Sequence, residues 1–209
     1  MRRPIAGIWT VPPEGLGPGL LATASFFFLG GIAGCVLAAK VAGGGDESLN
    51  AYLSGFLAVA KAGELVAPSM LTLIWESMRW ALLTVLLSFT ALGLVGIPLL
   101  FCTRGFLLSF AIASFVRLPG GTGMLLALVV FGLSGCLAVP ALFVLGAQGF
   151  SASRGFALRH LGQGRHSAPF GKNYFLRCGL CAAALCVCVL LEYLVVPALL
   201  AGMAGLLPA

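Results

Sequence analysis

The sequence predicts an all-α, polytopic membrane protein with about five transmembrane helices and one further amphipathic helix at the membrane interface. Of its 209 residues, 60% are apolar and only 9% are charged, whereas a soluble domain is about half apolar and a quarter charged. The apolar residues form runs of about the 20 residues that a helix needs to cross a bilayer, and none of these runs alternates like a barrel strand. The composition also excludes a disordered chain, a disulfide-stapled secreted module and a protein that binds nucleic acid through a long basic face.

Five spans are predicted within a single membrane domain of residues 1–209, at residues 19–41, 80–99, 100–116, 124–149 and 178–203. The second and third belong to one long apolar stretch that Gly96-Ile97-Pro98 interrupts. Two tightly joined spans fit this stretch best. One span followed by a short re-entrant helix also fits, because residues 105–116 are too few to cross a bilayer alone.

The distribution of charge predicts the orientation of the chain. The segment 151–177 contains five cations and no acid, namely Arg154, Arg159, Arg165, Lys172 and Arg177. The positive-inside rule therefore places this loop in the cytoplasm together with Arg2 and Arg3, and its cations would contact anionic lipid headgroups. With five crossings, the N-terminus is cytoplasmic and the C-terminus lies outside the cell membrane.

The outer loop after the first span has a helical pattern of its own. Its apolar residues recur at helical spacing and are Leu49, Tyr52, Leu53, Phe56, Leu57 and Ala60. This pattern is typical of an amphipathic helix in the outer interface, and equally of a short helix packed on the bundle.

Glu192 is the one acid deep within a predicted span, and an intramembrane acid is a candidate functional residue. We expect it to be paired or protonated, either in a structural pair or in a proton or ion relay. The predicted depths favour Arg79 or Arg117 over Arg104 as its partner. Glu76 and Arg79 are three residues apart and predict a local ion pair at the interface.

Arg104 lies among large apolar residues in the sequence from Phe101 to Phe106. Its long side chain either reaches the headgroups or provides a fixed charge that orients the span or meets a partner. Small residues recur every four positions at Gly30, Gly34 and Ala38, a spacing that lets helix backbones approach closely within the bundle or against another protein.

The residue types that catalysis or metal binding needs are sparse. Asp46 is the sole aspartate, both histidines (His160 and His166) lie in the basic loop, and no zinc-protease or phosphate-loop motif occurs. The seven cysteines mostly lie in apolar runs and are predicted to pack between helices. We therefore predict no catalytic residue, no cofactor, no metal site and no enzymatic activity.

One apolar stretch begins at Gly96, runs through Pro98 and the sequence Arg104-Gly105-Phe106, and ends at Phe110. It resembles a stretch of the stage II sporulation protein M family. The resemblance implies a non-enzymatic membrane protein that acts in engulfment of the forespore. It further implies that the protein anchors and recruits two peptidoglycan-remodelling partners, a lytic transglycosylase and an amidase/endopeptidase.

Two other functions remain open from the residues alone. The first is a transporter, or a permease subunit of a larger transporter, that uses Glu192 and Arg104. The second is an enzyme acting on lipid-linked substrates, and the only support for it is a set of scattered polar groups.

Overall fold

The computed structural model describes residues 13–43, 51, 55, 59, 69–116, 122–160 and 172–203. Its elements are α1 (Pro13–Gly43), α2 (Met70–Ser88), α3 (Gly93–Val116), α4 (Thr122–Ala127), a π-helical segment (Leu128–Gly132), α5 (Leu133–His160) and α6 (Lys172–Met203). Within these ranges the chain is helical except at Ser69 and residues 89–92 and has no strand, which confirms the predicted fold class.

Five of these helices are long and apolar enough to cross a membrane. The corresponding segments are Gly17–Val41, Met70–Ser88, Gly93–Val116, Ser134–Leu158 and Tyr174–Val196. Each has 19 to 25 residues, and a helix rises about 1.5 Å per residue, so each matches the hydrocarbon thickness of a bilayer.

The boundary predicted between the second and third spans is wrong. The chain turns at residues 89–92, where the amides of Phe89 and Thr90 donate to the carbonyls of Leu86 (3.2 Å) and Leu87 (3.1 Å). Pro98 lies inside α3, because a membrane helix tolerates the one backbone hydrogen bond that a proline removes. Residues 105–116 are therefore the second half of a 24-residue helix and not a separate re-entrant one.

The predicted limits of the last two spans, 124–149 and 178–203, and of the basic loop, 151–177, also change. Helix α5 continues to His160 and α6 begins at Lys172, so that only residues 161–171 lie between them. A drop in hydropathy does not end a helix. Ser151, for example, donates back to the carbonyl of Ala147 (2.9 Å) and remains helical.

Helices α1 and α3 form the most extensive contact in the bundle. A methyl group on Gly30 would collide with the carbonyl of Cys102, one on Gly34 with that of Phe106, and one on Gly105 with that of Phe27. Glycines on both helices thus let the two backbones touch, as in other close crossings of membrane helices.

The apolar core lies where α2, α3, α5 and α6 meet. It is centred on the buried residues Ala81, Ile97, Phe101, Ala141, Leu142, Leu145, Cys181 and Leu185. Phe143 joins it to α1, since its ring lies 5.2 Å from that of Phe27 and 5.3 Å from that of Phe101.

Most of the predicted interfacial helix lies outside the described residues. Only Ala51, Gly55 and Val59 of that segment are described, and each is helical. Arg117 and both chain termini also lie outside the described ranges.

Candidate functional site

Arg104 occupies the middle of α3. It follows Gly93 by 11 residues and precedes Val116 by 12, so it lies about 16–18 Å from either end of the helix. The predicted depth was too shallow because the third span was expected to begin at residue 100. The predicted depth of Arg79 was also too shallow, because α2 begins at Met70 and not at residue 80.

A cavity of about 210 Å³ lies between α2, α3, the π-helical segment, α5 and α6. We call it the charged cavity. It is lined by Leu73, Glu76, Ser77, Arg79, Arg104, Leu107, Leu108, Ala111, Val130, Phe131, Ser134, Gly135, Ala138, Val139, Cys188 and Glu192. Two acids and two arginines from three different helices thus share one space among apolar walls.

The charges of α2 form the exposed rim of the charged cavity. Nη2 of Arg79 lies 3.7 Å from Oε1 of Glu76, and the two side chains are 45% and 59% exposed. The local pair expected from their spacing is therefore present.

The ring of Trp80 lies close to the guanidinium groups of both arginines. The guanidinium carbon of Arg104 lies 5.3 Å from the centroid of the Trp80 ring, and that of Arg79 lies 5.6 Å from it. Both distances are within the range of a cation–π interaction. Arg104 thus has an aromatic partner inside the bundle, which explains how its charge is accommodated there.

Glu192 shares the charged cavity with both Arg79 and Arg104. Because Arg117 lies outside the described residues, the expected preference for Arg79 or Arg117 over Arg104 stays a prediction. Among the four charged residues that line the cavity, the one direct ion pair is that between Arg79 and Glu76. Glu192 and Arg104 face the same space without touching.

Most residues of the family-like stretch pack between or within helices, and one lines the charged cavity. Gly105 lies at the crossing with α1, and Gly96 packs against the side chain of Leu87. Pro98 is buried, and Phe106 stacks on Phe110 with a centroid distance of 6.1 Å. Arg104 is the member of this stretch that lines the charged cavity.

Sequence analysis did not anticipate two features of the site. The contact of Trp80 with both arginines was not predicted, and the π-helical segment leaves no signal in the sequence. Val130 and Phe131 of that segment form part of the cavity wall, and the hydroxyl of Ser134 donates to the carbonyl of Val130 (3.4 Å). Such segments occur frequently at functional sites.

The charged cavity offers groups that bind small polar molecules and exchange protons. Guanidinium groups donate to anionic oxygens, and carboxylates accept from ammonium groups. Across the described ranges, no three His, Cys, Asp or Glu side chains are grouped as metal ligands would be. All seven cysteines are free thiols.

Residues 23–206 match the family model described as stage II sporulation protein M. The match includes all four charges of the cavity and most of the chain. No curated protein matches the chain, and no solved structure does.

Proposed function

The chain belongs to the stage II sporulation protein M family, and we propose that it serves as a non-enzymatic scaffold in the cell membrane. Membership implies a membrane protein connected with sporulation, and this family is not known as an enzyme family. The family match over residues 23–206 is the observation on which the proposal rests.

The proposed partners are two enzymes that remodel peptidoglycan during engulfment, a lytic transglycosylase and an amidase/endopeptidase. The scaffold would hold them at the septal membrane. Because their substrate lies outside the membrane, the docking surface belongs on the outer side, which the charge distribution assigns to the segment between α1 and α2.

The packing of α1 supports this choice of docking surface. Gly30 and Gly34, which the sequence left open as a partner interface, are covered by α3. The lack of a Cβ at these two positions therefore serves packing within the bundle. The outer segment, with its helical pattern of apolar residues, is the better candidate for contact with the hydrolases.

The test is co-purification of both hydrolases with the tagged full chain from sporulating cells in a mild detergent. We expect the double variant Leu53→Glu/Phe56→Glu to lose most of the recovered hydrolase, because charge disrupts the apolar pattern of the outer segment. Ser54→Glu, on the polar positions of the same pattern, is the matched control and should retain both enzymes. Absence of both enzymes from the wild-type preparation would overturn the proposal.

Transport is a second candidate, favoured by the charged cavity between Glu192 and Arg104. It predicts that vesicles containing the protein take up protons or a solute faster than empty vesicles, and that Glu192→Gln abolishes the difference. Equal uptake by wild-type and Glu192→Gln vesicles would remove this candidate.

A further inference from the structure

The charged cavity is large enough for a small solute. A water molecule occupies about 30 Å³ of liquid volume, so a cavity of about 210 Å³ has room for about seven waters or a molecule of similar size. It is smaller than the pockets of about 300–1,000 Å³ that hold drug-sized ligands. Its volume thus limits the occupant to a small molecule or the headgroup of a larger one.

Opposite charges line this space. Arg104 projects from the middle of α3, and Glu192 lies on α6 four residues before Val196. In the described structure neither makes a direct ion pair, although each acts electrostatically on the other. Charged groups inside a membrane bundle are costly unless they are paired or solvated, so a group that bridges them would stabilise both.

The balance of charges selects the class of occupant. With Glu76, Glu192, Arg79 and Arg104 all ionised, the lining has no net charge. A lone metal cation would be repelled by two guanidinium groups, and a lone anion by two carboxylates. A molecule with an ammonium group close to an anionic oxygen group complements both walls at once.

We propose that the charged cavity binds a zwitterion, with the ammonium group at Glu192 and the anionic oxygens at Arg104. Both a free amino acid and the phosphoethanolamine headgroup of a lipid have this chemistry. The π-helical segment forms one wall of the site through Val130 and Phe131, and its irregular hydrogen bonding sets it apart from the flanking helices. This site is independent of the scaffold function, because it involves none of the residues proposed to dock the hydrolases.

The test uses the purified full chain in detergent micelles, with binding measured as a shift in the thermal unfolding midpoint. Glycine and glycerophosphoethanolamine are the zwitterionic probes, and acetate and ethylammonium are the probes with a single charge. We expect at least one zwitterion to bind the wild type at least tenfold more tightly than either single charge. Glu192→Gln and Arg104→Gln should each weaken that binding at least tenfold, whereas Arg154→Gln, an exposed arginine outside the cavity, should not change it.

A second arm identifies the source of the zwitterion. Native mass spectrometry compares retention of phosphatidylethanolamine with that of phosphatidylcholine, whose methylated ammonium group cannot donate a hydrogen bond to Glu192. Preferential retention of phosphatidylethanolamine supports the proposal with a lipid as the ligand, and glycine binding supports it with a soluble ligand. Arg104→Lys preserves the charge and should retain part of the affinity if Arg104→Gln does not fold.

Three results would overturn the proposal. They are the absence of binding by every zwitterion in both arms, binding of acetate or ethylammonium as tightly as the zwitterions, and equal affinity of wild type and Glu192→Gln. None of them affects the scaffold function, which is tested by recovery of the hydrolases.

Discussion

Two aromatic residues, Trp80 and Tyr174, stabilise this bundle at two different positions along α2. Trp80 lies beneath the guanidinium groups of Arg79 and Arg104. Tyr174 contacts the C-terminal end of α2, since its hydroxyl lies 2.6 Å from that of Ser88. In both cases a ring with a large apolar surface also provides a specific polar or electrostatic contact.

Replacing Trp80 should destabilise the protein more than replacing the other tryptophan of α2. Trp80→Leu removes two cation–π interactions, each of about 0.5–2 kcal/mol, together with packing, whereas Trp75 is 66% exposed. We expect a clear fall in the thermal unfolding midpoint for Trp80→Leu, a smaller one for Trp80→Phe, and almost none for Trp75→Leu. Equal effects of Trp80→Leu and Trp75→Leu would contradict the role given to Trp80.

Removing the hydroxyl of Tyr174 should weaken the junction of α2 and α6. Ser88 is fully buried, and hydrogen bonds between membrane helices contribute about 0.6–2 kcal/mol. Tyr174→Phe should lower the free energy of unfolding by about this amount. Tyr193→Phe, which alters an exposed tyrosine of the same helix, is the control and should have little effect. A stability of Tyr174→Phe equal to that of the control would mean that the hydrogen bond contributes nothing.

At the scale of the helices, the crossing of α1 and α3 determines which substitutions the bundle accepts. A methyl group normally favours a helix over glycine by about 0.5–1 kcal/mol. At Gly34, however, it would collide with the carbonyl of Phe106. Replacing glycine by alanine should therefore lower the free energy of unfolding at crowded positions and raise it at open ones.

Gly34→Ala should destabilise the protein by about 1–3 kcal/mol, because the two backbones must separate. Gly179→Ala is the matched control, since nothing lies within 4 Å of a methyl group there, and it should be neutral or slightly stabilising. Unfolding of the two variants in detergent measures the difference. If Gly34→Ala were as stable as Gly179→Ala, α1 and α3 would not be in backbone contact.

The five spanning helices could be predicted from the sequence, because the length of the apolar runs and the absence of strand alternation are visible in it. Sequence analysis placed the boundary between α2 and α3 incorrectly because Pro98 looked like a helix end, whereas the turn at residues 89–92 contains no proline. That error displaced Arg79 and Arg104 along the membrane normal, so their position in the charged cavity with Glu192 could not be predicted. The π-helical segment has no residue signature and was unpredictable for that reason.

For the molecule as a whole, five candidate spans predict that the two chain termini lie on opposite sides of the membrane. The basic residues near the ends of α5 and α6 predict that this end of the bundle is cytoplasmic. On that assignment, Glu76 and Glu192 lie in the outer half of the membrane. The charged cavity and the outer segment then belong to the same side of the protein.

Reporter fusions test this orientation. Alkaline phosphatase fused after Ala209 should be active, and a fluorescent protein that matures only in the cytoplasm should be dark at the same position. Insertion of each reporter between residues 161 and 171 should give the reverse. A fluorescent fusion after Ala209 would mean that the chain is inverted or crosses the membrane an even number of times.

The most direct test of the scaffold function is recovery of the two hydrolases from sporulating cells that express either Glu192→Gln or Leu53→Glu/Phe56→Glu. A scaffold predicts that Glu192→Gln supports engulfment and recovers both enzymes at wild-type levels, whereas the double variant loses both engulfment and the enzymes. The opposite result would contradict it: engulfment blocked by Glu192→Gln while both hydrolases are still bound would mean that chemistry within the membrane, and not anchoring, is the function of the protein.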